Sequence, residues 1–225
     1  MLSHRSFQVG IGLGAALLAG SLSIATAADD PSGDRDMVKI PRGEFTMGSN
    51  EHSDEAKHQV VLDPYLIDKY EASNARYKEF MKATGHPAPA YWDYPRLSKG
   101  NQPVVGVSWT DATAFCKWDG KRLPTEAEWE CAALTQPGFR WGHAWEWTAS
   151  DFQPFPGFVP HPYRDYSAPW FGTHRVLRGA SFATPRRLAS VRFRNFYLPG
   201  RDDICRRPLP TAFPTTDPAT GSAAC

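Results

Sequence analysis

The sequence has few cysteines, and their spacing excludes two common uses of this residue. Its 225 residues include four cysteines, and no two of them form a Cys-x-x-Cys pair. Zinc ribbons and thioredoxin-type redox sites are therefore excluded. Cys116 and Cys131 fall on the apolar faces of predicted helices, where a cysteine is commonly a small buried side chain. Cys205 and Cys225 lie in a proline-rich tail and either pair as a disulfide or stay free.

An excess of charge of either sign is also lacking. The chain has 25 lysines and arginines against 24 aspartates and glutamates, a formal net charge of +1. This balance gives no overall attraction to nucleic acid or to a membrane surface, so we expect no nucleic-acid partner. Beyond the N-terminal segment no apolar run is long enough to span a bilayer, and we expect no stable membrane anchor.

Residues 1–27 are predicted to form a secretory signal peptide. A short polar start precedes an apolar run over 9–24, and Ala25-Thr26-Ala27 offers a small-x-small cleavage site. The alternative is an uncleaved N-terminal anchor, but the run is short and contains glycine and serine. No cysteine lies near the cleavage site to carry a lipid. We therefore expect an exported protein, periplasmic or secreted, with a polar linker at 28–36.

Proline, glycine and tryptophan are abundant. The 20 prolines, 18 glycines and eight tryptophans favour a loop-rich domain held by turns and large side chains. The length suits one sizeable domain, which we place at 37–204. Strands are predicted over 43–49, 59–67, 104–107, 176–182 and 191–197. Helices are predicted to begin at Ser73 or Asn74, at Ser108 or Asp111, and at Thr125. Turns and aromatic residues dominate from Trp141 onward.

The most informative stretch is 121–130, with the sequence Lys-Arg-Leu-Pro-Thr-Glu-Ala-Glu-Trp-Glu. Thr125 followed three residues later by Glu128 is a capping box at a helix start. Glu126, Glu128 and Glu130 could be catalytic carboxylates, but capping and the helix dipole explain carboxylates in the first turns better.

Seven arginines crowd the segment 175–201, interleaved with aromatic residues: Arg175, Arg178, Arg186, Arg187, Arg192, Arg194 and Arg201. The planar guanidinium fork suits a carboxylate or phosphate, so the segment is a candidate anion-binding wall. The alternative is that most of these arginines form structural ion pairs or a solvated face.

The histidines of the mature chain show no i,i+4 or His-x-His spacing that would build a metal site locally. His161 and His174 could meet in space with Asp165. Histidines in aromatic loops, however, more often serve as simple hydrogen-bonding residues.

Six ordered motifs resemble the formylglycine-generating enzyme (sulfatase-modifying factor) superfamily. They are Gly43-x-Phe45-x-Met47-Gly48-Ser49, Tyr70-Glu71-Ala72-Ser73-Asn74 with Tyr77 and Phe80, 103–109, 122–130, Trp145-Glu146-Trp147-Thr148, and Val176-Leu177-Arg178-Gly179-Ala180-Ser181. The resemblance implies a compact, loop-rich α+β fold related to C-type lectins.

The resemblance also shows a departure from that family's chemistry. Formylglycine-generating enzymes hold copper with two cysteines shortly after the Arg-Gly-Gly-Ser motif, and those positions fall here at Thr184 and Ala189. Neither side chain is a soft ligand for Cu(I), so copper is not expected as a cofactor.

The latter half resembles the C-terminal domain of ergothioneine-type sulfoxide synthases and selenoneine synthases. Gly138-Phe139-Arg140-Trp141-Gly142, Tyr163-Arg164-Asp165-Tyr166 and Phe193-Arg194-Asn195-Phe196 are among the residues that carry it. Those synthases bind iron with histidines of a separate helical domain, which we do not expect in these residues. Exported pyoverdine chromophore-maturation proteins are also similar in fold, in carrying a signal peptide and in lacking the copper cysteines.

The sulfoxide-synthase resemblance implies a substrate site near the Arg-Asn pair. Asn195 and Arg201 are the leading candidates, with Arg194, Tyr163 and Tyr166 beside them. Glu146 occupies the family's calcium-ligand glutamate, but His143 stands where the pattern has asparagine, which removes one hard oxygen donor.

The C-terminus departs from the family as well. The superfamily closes with Gly-Phe-Arg in a buried strand, whereas Cys205-Arg206-Arg207-Pro208 stands here before a low-complexity segment. We expect residues 205–225 to be a disordered tail, which a shifted reading frame or a truncated gene would explain.

These observations predict an oxygen-dependent oxidoreductase for a small thiol-bearing or peptide-like substrate. The expected cofactor is non-heme iron or calcium rather than copper, and a partner protein is a candidate supplier of the metal site. The alternative is a non-catalytic, lectin-like module that binds a ligand or a partner protein.

Overall fold

The computed structural model describes residues 37–50, 55–160, 162–163 and 167–203. The strands are β1 (Met37–Ile40), β2 (Gly43–Met47), β3 (His58–Leu62), β4 (Tyr65–Asp68), β5 (Trp145–Asp151), β6 (Arg175–Gly179) and β7 (Asn195–Tyr197). The helices are α1 (Asn74–Thr84), α2 (Trp109–Trp118) and α3 (Glu126–Thr135), with short 3₁₀ helices at Ala168–Trp170 and Arg186–Leu188. This mixture of helices and small sheets confirms the predicted α+β class. The predicted signal peptide, linker and tail lie outside the described residues.

The strands form three small antiparallel sheets. β1 pairs with β4, β2 pairs with β3, and β6 lies between β5 and β7. The β5–β6 ladder matches Trp145 with Gly179 and shifts register between Trp147 and Asp151. The β6–β7 ladder matches Arg175 with Tyr197, which places β7 at the edge of its sheet.

All three helices begin at side-chain caps close to the predicted positions. Ser73 Oγ accepts a hydrogen bond from Arg76 N, and Ser108 rather than Asp111 caps α2. Thr125 and Glu128 form the predicted capping box of α3. Local hydrogen bonds of this kind satisfy backbone N–H groups that the helix itself leaves unpaired.

Three strand predictions were wrong. The run 59–67 is two strands, because Asp63 and Pro64 break it and each half pairs with a different partner. Residues 104–107 form no strand, since Val104 N donates to Ala72 O and Gly106 takes a φ of 73°. Only Asn195–Tyr197 of the run 191–197 is a strand. The turn-rich segment after Trp141 contains β5, which the sequence analysis missed.

The core lies in two main clusters. One packs α3 against β1 and β4 through Trp129, Ala132, Ile40 and Ile67. The other joins α1 and α2 through Tyr77, Phe80 and Phe115. Within the described chain no helix is long and apolar enough to cross a membrane.

Both described cysteines are free thiols, Cys131 buried and Cys116 half-buried. Burial raises the pKa of the Cys116 thiol to about 12, and the charges of Asp68 and Asp119 raise it further. These thiols therefore fill space, as predicted for a small hydrophobic side chain.

Candidate functional site

Two arginines of the predicted wall lie in the interior. Arg194 is 3% exposed and donates from Nε and Nη2 to the two carboxylate oxygens of Glu126, both at 2.9 Å. Its guanidinium also lies 3.8 Å from the ring centre of Phe155. Arg178 is fully buried against Glu130. Because Arg194 is buried in an ion pair with Glu126, the structure does not favour its predicted role in substrate binding.

These pairs also correct the interpretation of the α3 carboxylates. Glu128 acts in the capping box as expected and also pairs with Arg122. Glu126 and Glu130 instead face the interior as partners of buried arginines. Glu130 additionally accepts a hydrogen bond from Gly48 N at 2.9 Å.

Two partly exposed arginines of the wall, Arg175 and Arg201, stack on aromatic rings. The Arg175 guanidinium lies 4.4 Å from the ring centre of Trp109, and that of Arg201 lies 4.2 Å from Tyr197. Arg201 Nε also donates to Asp203 Oδ1 at 2.6 Å. Asn195 begins the same strand, half-buried, and its Oδ1 accepts from Phe196 N at 3.0 Å. We call these residues (Trp109, Arg175, Asn195, Tyr197 and Arg201) the β7 ledge.

The ledge is held by hydrogen bonds from the backbone and the side chain of Trp109 to elements distant in sequence. Trp109 N donates to Pro199 O at 2.9 Å, which ties the chain after β7 to the start of α2. Trp109 Nε1 donates to Thr148 O at 2.8 Å. Two cations, two aromatic rings and an amide on a fixed strand edge suit a small ligand that carries a carboxylate.

His174 packs among aromatic side chains next to β7. Its ring packs against Trp170 and Phe196, with centroids 5.2 Å and 5.8 Å apart. Burial lowers the pKa of His174, although a backbone hydrogen bond at Trp170 opposes the shift. The lowered pKa favours the uncharged form of this ring.

The two predicted tyrosines stay untested as ligand contacts. Tyr163 is 62% exposed, and Tyr166 lies outside the described residues, as do His161 and Asp165. Their role in substrate binding remains a prediction.

A concave region lies between β4, β5 and α2, apart from the β7 ledge. It is a groove of about 690 Å³, with Glu71 and Glu146 among its lining residues. Burial raises the pKa of Glu146 well above its usual range, and the nearby charge of Glu71 raises it further. Glu146 Oε1 is buried and has no well-aligned hydrogen-bond partner. Glu71 faces His143, whose Nδ1 lies 3.3 Å from Glu71 Oε2.

Copper does not fit the residues present. Thr184 Oγ1 accepts a hydrogen bond from Ser181 N at 3.0 Å, and Ala189 carries no donor atom. The described thiols lie elsewhere, on α2 and α3, and both are protonated or buried. Cu(I) takes thiolate ligands, so these two positions cannot hold it.

The described residues alone provide no iron site, and the predicted ligands His161 and Asp165 lie outside them. The described histidines lie apart: His86 Nε2 contacts Asp111, His143 contacts Glu71, and His58 packs on Phe155. In the part of the chain that the structure describes, no three histidine, cysteine or carboxylate side chains converge.

The calcium prediction rests on Glu146 alone. Its buried Oε1 is the atom a hard cation would bind, and among the described residues Glu71 is the carboxylate whose charge acts on it. Calcium takes six to eight oxygens. The role of Glu146 as a calcium ligand therefore stays a prediction.

Sequence reasoning missed Trp109, Arg175 and Tyr197 as one surface. In the sequence, Trp109 belongs to the family motif 103–109, and Tyr197 belongs to the predicted strand 191–197. Their convergence depends on the pairing of Arg175 with Tyr197 across β6 and β7. A sequence signal was present in the alternation of arginine and aromatic residues, although it could not identify which members meet.

Comparisons with known proteins identify the family of this chain. A family model described as the sulfatase-modifying factor enzyme 1-like domain matches residues 24–143. The formylglycine-generating enzyme of Streptomyces coelicolor is 30% identical, across 68% of this chain and 80% of that protein. The hercynine oxygenase of Mycolicibacterium smegmatis is 27% identical, across 74% of this chain and 59% of its own length.

Solved structures share the fold. Treponema denticola variable protein 1 superposes with a TM-score of 0.55 at 22% identity, covering 73% of this chain and 90% of that one. PvdO from Pseudomonas aeruginosa superposes with a TM-score of 0.51 at 23% identity, covering 73% and 89%. These likenesses establish the architecture. Because the family model spans more than half of the residues and the Streptomyces relative is aligned over most of its length, the chain belongs to the sulfatase-modifying factor family, which includes the formylglycine-generating enzymes.

Proposed function

We propose that this chain is an exported protein that binds a thiol-bearing or peptide-like substrate for oxygen-dependent oxidation, with the metal supplied by a partner protein. Relatives named formylglycine-generating enzyme and hercynine oxygenase support an oxidative role. The observation that carries the proposal is the β7 ledge, a fixed surface of two arginines, two aromatic rings and an amide.

Each ledge residue has a separate task in binding. The Arg201 guanidinium pairs with a substrate carboxylate in exchange for Asp203, while the Tyr197 ring packs against the apolar part of the ligand. Asn195 offers an amide for hydrogen bonding to a peptide-like group. Arg194 acts as a positioning residue, since its ion pair with Glu126 anchors the residue before β7 to α3.

A redox metal would supply activation of oxygen and of the thiol. The described residues provide no donor set for copper or iron, so no step is assigned to a metal bound by this chain alone. The β7 ledge also supports a second candidate function. In that case the chain is a non-catalytic module that uses the ledge to bind a ligand or a partner protein.

The binding proposal is tested by calorimetry with glutathione and a cysteine-containing peptide on the full chain. We expect Arg201→Gln and Asn195→Ala to weaken binding, Arg201→Gln by about tenfold, because a charge-assisted hydrogen bond contributes about 1.5–3 kcal/mol. Arg186→Gln is the matched control, since Arg186 is exposed on a 3₁₀ helix away from the ledge.

If Arg201→Gln and Arg186→Gln bind the two ligands with equal affinity, the ledge is not the binding surface. Ligand binding without oxygen uptake, even with added metal-loaded extract, would favour the non-catalytic module.

A further inference from the structure

Two arginines of the segment 175–201 have no carboxylate partner among the described residues. The fold accounts for the other five, through four ion pairs and one hydrogen bond to a backbone carbonyl: Arg175 with Asp151, Arg178 with Glu130, Arg194 with Glu126, Arg201 with Asp203, and Arg192 Nη1 with Gly48 O at 3.1 Å. Arg186 and Arg187 are exposed on a 3₁₀ helix, and within the described part of the chain neither makes an ion pair. The loop that carries them therefore presents two positive charges that the fold does not neutralise.

Exposed apolar side chains lie in the same loop. Phe182 is 38% exposed, and Leu188, which ends the 3₁₀ helix, is 54% exposed. Single apolar side chains scattered over a surface are ordinary and carry no inference. Here an aromatic and an aliphatic side chain lie on either side of two arginines, and aromatic residues and arginine are the types enriched in the cores of protein interfaces.

Hydrogen bonds within the loop 181–190 fix its backbone. Thr184 N donates to Ser181 O at 2.8 Å, and Ser181 N donates to Thr184 Oγ1 at 3.0 Å. The 3₁₀ helix Arg186–Leu188 follows this turn. Just beyond the loop, Val191 O accepts from the buried Arg178 at 2.6 Å. A partner would not have to order this backbone, which lowers the entropic cost of binding.

The charge of the loop indicates an acidic partner. Removing a guanidinium group from water is costly unless an anionic acceptor pairs with it. In the described ranges the chain supplies no carboxylate to either arginine. A partner segment that covers Phe182 and Leu188 must therefore bring carboxylates to Arg186 and Arg187.

An anionic bilayer fits this loop less well than an acidic protein segment does. Anionic lipid surfaces are recognised by clusters of about four to eight basic residues or by amphipathic helices. The loop offers two arginines and a helix of three residues. Nucleic acid fits less well for the same reason, because the formal net charge of the chain is only +1.

We propose that the loop 181–190 is a docking surface for an acidic, apolar segment of a partner protein. Carboxylates of that segment pair with Arg186 and Arg187, and its apolar side chains cover Phe182 and Leu188. The surface shares no residue with the β7 ledge, and the proposal depends neither on the substrate nor on the metal.

Fluorescence anisotropy of the full chain with three labelled peptides tests the proposal at about 0.15 M salt. The first peptide alternates glutamate with leucine and phenylalanine, the second replaces every glutamate by glutamine, and the third replaces every apolar residue by serine. We expect the first peptide to bind at least about tenfold more tightly than either of the others, because charge-assisted hydrogen bonds and apolar burial both contribute. Equal affinity of the first peptide and either analogue would overturn the proposal.

Two double variants of matched charge locate the surface. Arg186→Gln with Arg187→Gln should weaken binding of the first peptide at least about tenfold, because its carboxylates lose both guanidinium partners. Lys78→Gln with Lys82→Gln removes the same charge from exposed positions of α1 and should leave that affinity unchanged. Equal losses in the two double variants would mean non-specific charge attraction and would contradict the proposal.

Two further measurements separate this loop from the ledge and from a membrane surface. Arg201→Gln should leave binding of the first peptide unchanged, whereas a loss there would assign the peptide to the ledge and overturn the proposal. Glutathione binding should survive in the Arg186→Gln, Arg187→Gln variant, because glutathione has no large apolar side chain to cover Phe182. If the chain binds vesicles of equal parts phosphatidylglycerol and phosphatidylcholine and that double variant does not, the loop is a membrane contact and the proposal is wrong.

Discussion

Glu130 and Arg178 form an ion pair in which neither side chain is exposed. Arg178 also donates to Val191 O at 2.6 Å, and Glu130 accepts from Gly48 N at 2.9 Å. One pair thus connects α3, β6, the turn after β2 and the chain before β7. Removal of one partner leaves a buried charge without compensation, which is more damaging than loss of an exposed pair.

We expect Glu130→Gln to lower the free energy of unfolding by about 3–5 kcal/mol, as found when one member of a buried pair is removed. Arg122→Gln is the matched control, because the Arg122 side chain in its pair with Glu128 is 63% exposed. Its loss should be about 0–1 kcal/mol. Urea denaturation of both variants measures the difference, and equal losses would contradict the assignment of Glu130 as a structural residue.

The sequence allowed the role of Glu128 to be predicted but not the roles of its neighbours. A capping box depends on residues three apart, so Thr125 and Glu128 are recognisable from local spacing. Glu126 and Glu130 find their partners 68 and 48 residues away, at Arg194 and Arg178. Helical position alone could not indicate which carboxylates face inward to those arginines.

The helices are the elements whose starts were predicted best. Ser73, Ser108 and Thr125 each accept a backbone hydrogen bond three residues into the following helix. α1 ends at Gly85, which takes a φ of 73° and donates to Met81 O. Such helix ends depend on hydrogen bonds and backbone conformations within one turn, so they can be predicted from the sequence.

We expect Thr125→Ala to lower the free energy of unfolding by about 0.5–2 kcal/mol, because the N–H of Glu128 loses its side-chain acceptor. Thr135→Ala, at the other end of α3, is the control. Thr135 Oγ1 donates back to Cys131 O and accepts from the Gln136 side chain, and its loss should change stability by less than about 0.5 kcal/mol. Thermal denaturation compares the two, and a larger effect at Thr135 would count against the cap.

The strands were predicted less well because their pairing is not local. Residues 104–107 have the apolar character of a strand, yet Val104 N and Gly106 O pair with Ala72 and Ala90 in loops. β5 alternates poorly, since the consecutive residues Trp147 and Thr148 are both buried. Strand assignment here depends on partners that only the folded chain brings together.

For the whole molecule, sequence motifs were enough to identify the architecture and the family. The candidate site was predicted in part: Asn195 and Arg201 lie on one ledge, whereas Arg194 is interior. Trp109 joins that ledge through its contact with Pro199, a connection between α2 and the chain after β7. Ligand sites built from several elements depend on such convergence, which neither spacing nor composition reveals.

The central proposal is that this chain binds its substrate at the β7 ledge and takes the redox metal from a partner protein. The most direct test is metal analysis of the full chain after equilibration with Cu(I) and with Fe(II), combined with oxygen uptake in the presence of glutathione. We predict less than about one tenth of an equivalent of either metal and no oxygen uptake, since the described residues offer neither thiolate pairs nor histidine clusters. One equivalent of bound metal with glutathione-dependent oxygen uptake by the chain alone would contradict the claim.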